Sequence, residues 1–181
     1  STIVPAGTGG LDYPNSQTVA ANADIFVCSA GTSSVLQFSG LNGAFIRSYQ
    51  SPLLRNPSGV VLGAPNQLLV TNFLDDDVIA FNLLTGQSRG CIPTVTGGLD
   101  GPGPMILRPN GNMLVAGQVS NKVHEYDADG AFVQIAGQNN GLTGPNGMLF
   151  DGSGHLLLDE RDVEFLGLIK SLREVDRSCA S

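Results

Sequence analysis

The sequence predicts an all-β protein, a β-propeller of about four blades, on three observations. Strand-like cores recur at spacings of 43, 45 and 43 residues, ending at Val27, Val70, Val115 and Leu158. Each period of about 43 residues holds four short β-type stretches separated by Gly, Asn, Asp and Pro, which is the content of one four-stranded antiparallel blade. Before about residue 160, apolar residues do not recur at helical spacing.

The elements of each repeat follow one order. A Pro-led segment opens the repeat, the Val-ended core forms its second strand, and a third stretch begins eight residues after that Val. We therefore predict strands over residues 25–28, 35–38, 68–71, 78–81, 113–116 and 123–126. Apolar residues at equivalent positions of these strands should line the interfaces between blades: Val27, Phe38, Val70, Phe81, Val115 and Tyr126.

The repeats divide residues 1–160 into consecutive units. Residues 13–56, 57–100 and 101–144 are three whole blades, and residues 145–160 begin a fourth. Residues 1–12 resemble the end of a blade. We expect them to form the last strand of a composite blade.

Residues 161–181 depart from the repeat and form a divergent tail. Residues 151–181 carry 11 charged side chains, and Val163, Leu166, Ile169, Leu172 and Val175 recur among them at near-helical spacing. This pattern predicts a short C-terminal helix. The competing interpretation is a degenerate third strand over residues 165–169.

The composition excludes several classes of partner and site. The formal charge of −7 and the pI near 4.5 disfavour nucleic acid and anionic membranes, and no stretch of the sequence predicts insertion into a membrane. Cys28, Cys91 and Cys179 lie far apart with no C-x-x-C pair, so we interpret them as structural and not as zinc ligands. The low charged fraction of 14%, against about 25% in an average domain, leads us to expect an extracellular or periplasmic protein.

Two stretches of the sequence resemble a known group of proteins. Residues 144–158, Gly-Pro-Asn-Gly-Met-Leu-Phe-Asp-Gly-Ser-Gly-His-Leu-Leu-Leu, and the pattern within residues 111–133 are similar to NHL-repeat propellers. The pattern is shared by the wider gluconolactonase/regucalcin-like and streptogramin-lyase-like superfamily. The related families typically close with six blades, so this chain is short for their ring. The alternatives are a four-bladed variant, a fragment or partial propeller, and a subunit that completes its sheet surface with another copy.

The resemblance implies candidate site residues at the start of the inner strands. In gluconolactonase-like enzymes a divalent metal is held in the central channel by acidic and Asn side chains, and Asn146 matches the Asn of that motif. The equivalent positions in the other repeats complete the set of ligand-binding or channel-lining candidates: Asn15, Ser58 and Gly103. Because none is acidic, we expect no metal cofactor and interpret Asn146 as a turn-capping residue.

Other polar residues have structural interpretations. Asp75-Asp76-Asp77 aligns with Ser120-Asn121-Lys122 and predicts a solvated hairpin turn. Calcium binding there is the alternative, but the full D-x-D-x-D-G loop is missing. His124 and His155 lie in no nucleophile motif and are interpreted as satisfied surface or interface residues.

These observations favour an extracytoplasmic NHL-type propeller that acts as a binding or assembly module rather than as an enzyme. Its expected partners are itself, as a homo-oligomer or filament, another protein, or a carbohydrate ligand. The alternative is a metal-dependent, gluconolactonase-like lactonase or a streptogramin-lyase-like enzyme, with Asn146 at the channel mouth.

Overall fold

The structure, a computed structural model, describes residues 3–92, 94, 96–137, 142–160 and 173–175. In this part of the chain, antiparallel strands form four sheets in sequence order, β1–β4, β5–β8, β9–β12 and β13–β15. The strands are β1 Pro14–Val19, β2 Ile25–Ser29, β3 Ser34–Phe38, β4 Phe45–Gln50, β5 Pro57–Leu62, β6 Gln67–Asn72, β7 Asp77–Asn82, β8 Ser88–Ile92, β9 Pro102–Leu107, β10 Met113–Gly117, β11 Lys122–Tyr126, β12 Phe132–Gly137, β13 Pro145–Phe150, β14 Leu156–Glu160 and β15 Arg173–Val175.

Each sheet is one blade of a β-propeller. Its strands follow one another as hairpins, and the first strands of successive sheets, β1, β5, β9 and β13, lie side by side. This arrangement confirms the predicted all-β propeller, and the six predicted strands agree with the observed ones to within one residue at each end. None of the helices in the described part of the chain has the length and apolar character needed to cross a membrane.

Apolar side chains from neighbouring blades form the core. Val70 and Phe81 of the second blade pack with Phe26 and Tyr49 of the first. Val115 and Tyr126 of the third blade pack in the same way against the second. The prediction that these four repeat-equivalent positions line blade interfaces is therefore confirmed, because strand alternation directs them toward the preceding blade.

The prediction is wrong for Val27 and Phe38, which do not line an interface between described blades. They belong to the first blade, and they lie on the sheet face opposite to Phe26 and Cys28, which contact the second blade. The described residues include no earlier sheet on that side. Phe38 is nevertheless fully buried, with its ring edge-on to Phe45 at 6.0 Å, whereas Val27 is half-buried.

The N-terminal segment packs beside the first blade but does not add a strand to it. Residues 3–12 form turns and a 3-10 helix, Thr8–Gly10, where the repeat pattern predicts an outer strand. Gly7, Gly9 and Gly10 adopt positive φ, which is incompatible with an extended strand. The helix lies against β4, and a side chain at Gly9 would collide with the Phe45 ring.

The predicted C-terminal helix falls largely outside the described residues. Within residues 161–181, the structure describes Arg173–Val175, and these residues form β15, which pairs antiparallel with β14. The helix prediction is wrong for these three residues. The competing strand over residues 165–169 also lies outside the described residues.

A leucine three residues before each strand-opening proline strengthens the blade interfaces. Leu54 is buried between the first and second blades, and Leu99 is buried between the second and third. Leu142 packs against the core between the third and fourth blades. Each connecting segment is therefore anchored to the core just before it enters the next blade.

Candidate binding face

The hairpin turns and connecting segments meet at one end of the blades, which we call the upper face. It consists of the turns at residues 30–33, 73–76 and 118–121 and the connecting segments at residues 51–56, 96–101 and 142–144. The two kinds of loop meet because the strands are antiparallel. Pro57 at the start of β5, for example, pairs with Asn72 at the end of β6.

The residue before each strand-opening proline has a left-handed backbone. The φ angle is 50° at Tyr13, 57° at Asn56, 59° at Gly101 and 49° at Gly144. Gly adopts this region without steric cost, Asn tolerates it, and for a bulky residue it is unusual. Tyr13 therefore has an unfavourable backbone conformation while its side chain is 80% exposed.

Two of these left-handed residues are hydrogen-bonded to a side chain of the preceding blade. The Gly101 N–H donates to Asp76 Oδ1 at 2.8 Å, and the Gly144 N–H donates to Asn121 Oδ1 at 2.8 Å. Asp76 and Asn121 occupy equivalent turn positions and are themselves left-handed, with φ of 56° and 55°. Asp75 and Asp76 thus lie in the predicted hairpin turn, whereas Asp77 begins β7, and Asp76 ties one blade to the next.

The four predicted channel-lining residues lie at the second position of each inner strand. Asn15 is exposed. Ser58 is buried and its hydroxyl bonds Thr71 Oγ1 at 3.0 Å and the carbonyl of Pro102. Thr71 also donates to the Gly103 carbonyl at 2.8 Å, so the structure links Ser58 and Gly103 through Thr71.

Asn146 and Gly103 are brought together by Gln118, which sequence reasoning missed. Gln118 Nε2 donates to Asn146 Oδ1 at 2.8 Å. A Cβ at Gly103 would lie 2.6 Å from the same Nε2 atom, so the absence of a side chain at Gly103 allows Gln118 to pass over it. The role of Gln118 depends on a neighbouring blade, and no local motif signals it.

The residues present do not fit the metal site that the resemblance implies. The four inner-strand positions contribute no carboxylate, and the Asn146 amide oxygen already accepts a hydrogen bond from Gln118. Hard divalent cations prefer several oxygen ligands with carboxylates among them. Within the described residues, no three His, Cys, Asp or Glu side chains converge closely enough to hold a metal ion.

His124 is buried and contacts a serine on the adjoining turn. Its Nε2 atom lies 3.1 Å from Ser120 Oγ, and its ring stacks on Tyr126 with centroids 6.2 Å apart. Burial, with a smaller contribution from the charge of Lys122, lowers the pKa of His124 to about 4, against the opposing effect of the Gly97 backbone. The imidazole is therefore neutral at pH 7, and His124 is a core residue rather than a surface one.

His155 matches its predicted turn position. Its Nδ1 lies 2.9 Å from Asp151 Oδ2. Backbone and side-chain hydrogen bonds from His155 hold the pKa of Asp151 below its usual range, with a further contribution from the Ser153 backbone.

A buried asparagine organises the polar part of the second-blade turn. Asn72 Oδ1 accepts from the Arg55 N–H at 2.6 Å, and its Nδ2 donates to the Leu53 carbonyl and to Asp75 and Asp77 at 2.9–3.1 Å. Arg55 also pairs with Asp75, with Nη1 and Oδ1 3.0 Å apart. Sequence reasoning missed Asn72. The available signal was an Asn at a strand end just before an aspartate run, where its amide can satisfy turn groups.

Burial raises the pKa of the Asp77 carboxyl. The negative charges of Asp75 and Asp76 raise this pKa further, and hydrogen bonds from Asn72 and Cys91 oppose the shift. Desolvation and the contact with Asp77 raise the pKa of the Cys91 thiol to about 11. Cys28 and Cys91 both lie in strands, where cysteine ordinarily packs as a small hydrophobic residue. Cys28 is buried, and burial raises its pKa to about 12, whereas Cys91 is exposed. Cys179 lies outside the described residues.

Apolar side chains also stand out from the upper face. Leu53, Leu74 and Val119 are 50%, 53% and 54% exposed, and each lies on a loop whose backbone is hydrogen-bonded to a neighbouring loop. Leu74 and Val119 are equivalent in the second and third blades. The upper face therefore combines projecting apolar groups with a fixed loop framework.

Comparison with solved structures supports the fold. A streptogramin B lyase matches with a TM-score of 0.67 and 16% identity, over 80% of this chain and 47% of that one. The nidogen/laminin complex matches with a TM-score of 0.71 and 20% identity, over 83% and 57%. Hydrazine synthase from Kuenenia stuttgartiensis matches with a TM-score of 0.69 and 17% identity, over 90% and 45%.

These similarities define the class of protein. The chain has a β-propeller fold, as the repeats predict, and this fold is similar to that of streptogramin B lyase and of the nidogen/laminin complex; identities this low show the fold alone. It spans about half the length of the solved structures it matches. No family model matches the chain, and no curated protein matches it.

Proposed function

We propose that this propeller is a protein-binding module and that the upper face is its binding surface. The observation that carries the proposal is the projection of Leu53, Leu74 and Val119 from loops held in place by inter-loop hydrogen bonds. Exposed apolar side chains rimmed by polar groups are typical of interaction sites. Fixed loops lose little conformational entropy on binding, which favours affinity.

The similarity to a structure solved as a complex of nidogen and laminin supports a protein partner. The polar groups of the same loops support it as well, because the Arg55–Asp75 pair adjoins Leu74 in the sequence and Gln118 adjoins Val119. Partly exposed pairs of this kind contribute more to partner selection than to affinity. A carbohydrate ligand is the alternative occupant and would show as glycan binding to the same face.

The test is a selection of random phage-displayed peptides on the wild-type chain. Enriched peptides are then synthesised and titrated against the Leu74→Ser/Val119→Ser double variant. Leu84→Ser is the matched control, because Leu84 is 63% exposed on a β7–β8 turn away from the upper face. We expect the double variant to lose binding and the control to retain it. Peptides that bind all three proteins equally would contradict the proposal.

An enzymatic function of the lactonase or streptogramin-lyase kind is the second candidate. It is supported by the 3.1 Å contact between His124 Nε2 and the Ser120 hydroxyl, because a histidine beside a hydroxyl is the arrangement that activates a serine nucleophile. The assay is turnover of a lactone and of a streptogramin B by the purified chain, with and without a chelator. Turnover lost in Ser120→Ala would favour the enzyme, and no turnover with folded protein would disfavour it.

Self-association through the first blade is a further part of the proposal. Val19 is 60% exposed on the inner strand of that blade, and the half-buried Val27 occupies a position that faces a neighbouring blade elsewhere in the repeat. A complementary blade from another copy would cover both residues and form a head-to-tail contact. Light scattering over a concentration series tests this. We expect mass to rise with concentration in the wild type and less so in Val19→Lys.

A further inference from the structure

We infer that the partner segment bound by the upper face is basic and apolar, and that it binds where the second and third blades meet. The inference rests on the proposed binding function. The surface concerned, which we call the acidic patch, consists of Phe73, Leu74, Asp75, Asp100 and Val119, with Asp76 and Gly101 beneath it.

The apolar part of the acidic patch is continuous across two blades. A Cβ built on Gly101 would lie 2.6 Å from Val119 Cγ2 and 3.2 Å from Phe73 Cε2. These two side chains therefore come together above the Gly101 backbone. Leu74, the neighbour of Phe73, extends the surface toward solvent. The result is an apolar contact area made by both turns.

The loops hold the acidic patch in one arrangement. The Gly101 N–H is bonded to Asp76, and the Asp100 carbonyl accepts from Val119 N at 3.2 Å and from Ser120 N at 3.3 Å. The third-blade turn is thus anchored to the segment that carries Asp100. Because both loops are fixed to each other, a partner meets Leu74 and Val119 at a constant separation.

The charge around this apolar area is predominantly negative. Asp75, Asp76 and Asp100 lie in the two loops and Asp77 begins β7, whereas the nearby cations are Arg55, which pairs with Asp75, and Lys122 at the start of β11. Asp75 and Asp76 both raise the pKa of Asp77, which reflects the concentration of negative charge in this turn. The whole chain carries a formal charge of −7.

Charge complementarity therefore indicates which kind of partner segment binds the acidic patch. A segment with Leu, Ile or Phe for the apolar area and Lys or Arg for the aspartates satisfies both parts of the acidic patch. An acidic segment would be repelled. An uncharged apolar segment would leave Asp100 partly desolvated without a counter-charge, which is unfavourable.

The experiment uses peptides that satisfy the face-dependence test above. Their sequences should be enriched in Lys or Arg beside large apolar residues. For the tightest peptide we expect Asp75→Asn/Asp100→Asn to weaken binding by about five- to tenfold, since exposed charge pairs each contribute modestly. Asp129→Asn, an exposed aspartate on the β11–β12 turn, is the matched control and should leave binding unchanged. Thermal melts establish that each variant is folded.

Salt provides a second readout. Raising the salt from about 0.1 M to about 1 M shortens the screening length from about 10 Å to about 3 Å, so affinity should fall in the wild type and much less in the double asparagine variant. Face-dependent peptides without net positive charge would overturn this inference and leave the proposed binding function standing. Peptides weakened equally by Asp129→Asn would also overturn it, as non-specific charge attraction. The absence of any face-dependent peptide would overturn the proposed function itself.

Discussion

Asp76 accepts a hydrogen bond from the backbone N–H of Gly101 across 2.8 Å, and this contact ties the turn of one blade to the start of the next. The same relationship recurs one blade later between Asn121 and Gly144. The accepting residue must tolerate a left-handed backbone, and its side chain must carry an oxygen on the γ carbon. Asp and Asn satisfy both conditions.

We expect Asp76→Ala to lower the free energy of unfolding by about 2–3 kcal/mol, from the lost bond to a charged acceptor and the cost of a left-handed alanine. Asp76→Asn is the matched control, because Asn121 performs the same role in the next blade. Urea unfolding of the three proteins measures the difference. Equal losses in both variants would show that the hydrogen bond is not the source of the stability.

Phe81→Ala should be among the most costly single substitutions. Phe81 is fully buried between the first and second blades, edge-on to Tyr49 with ring centroids 6.0 Å apart. Removing the ring leaves a cavity, and the expected loss is about 3–5 kcal/mol. Leu84→Ala, on an exposed turn three residues further on, should change stability by less than about 0.5 kcal/mol. A Phe81→Ala loss as small as that of the control would contradict the packing.

Tyr13→Gly should stabilise the protein. Tyr13 has a φ of 50°, and glycine stands at the equivalent positions 101 and 144. Glycine removes a left-handed penalty of about 1–2 kcal/mol and loses about 0.5–1 kcal/mol through greater flexibility when unfolded. The net gain should appear as a higher melting temperature. Tyr13→Ala keeps the left-handed cost and should show no such gain, so an equal rise in both variants would point to another cause.

His124 should make stability depend on pH between about 6.5 and 4. Its pKa is lowered to about 4 in the folded protein, from the ordinary histidine value of 6.5. Below pH 6.5 the unfolded chain binds a proton that the folded chain does not. Folding therefore weakens as the pH falls, by an amount of the order of 1–3 kcal/mol at pH 4. Above pH 6.5 this contribution is constant.

The measurement is the difference in unfolding free energy between wild type and His124→Gln across this range. Taking the difference cancels the carboxylates that titrate in both proteins. His155→Gln is the control, since His155 lies on an exposed turn and pairs with Asp151. If the wild type and His124→Gln lose stability in parallel between pH 6.5 and 4, the buried neutral histidine is excluded as the cause.

The repeat pattern predicted the strands well because strand formation is largely local. Alternating apolar residues between turn formers indicate a half-buried strand whatever lies beside it. Val70, Phe81, Val115 and Tyr126 then face the preceding blade, since equivalent positions in a repeat have equivalent neighbours. Val27 and Phe38 are the exceptions because the described residues contain no sheet before their own.

The candidate site was less predictable, because its contacts join residues far apart in the chain. Asn146 lies at the second position of β13, but its side chain bonds Gln118, 28 residues earlier in another blade, and does not cap a turn as the sequence predicts. The prediction that the aspartate run forms a turn holds for Asp75 and Asp76, whereas Asp77 begins β7. The neighbouring sequence does not distinguish Asp76, which accepts a hydrogen bond from Gly101, from Asp75, which forms an ion pair with Arg55.

The sequence by itself determined the repeat length, the strands and the alternation of side chains, since these depend on residues close together in the chain. Tertiary structure alone decided which faces are covered and which polar groups meet. The N-terminal segment resembles a blade's outer strand, yet it folds as a glycine-rich turn and 3-10 helix beside β4. His124 has a neutral imidazole because packing between the blades removes it from water. Burial and long-range hydrogen bonds are properties of the assembled blades, and a repeat pattern records them only where every blade has the same neighbours.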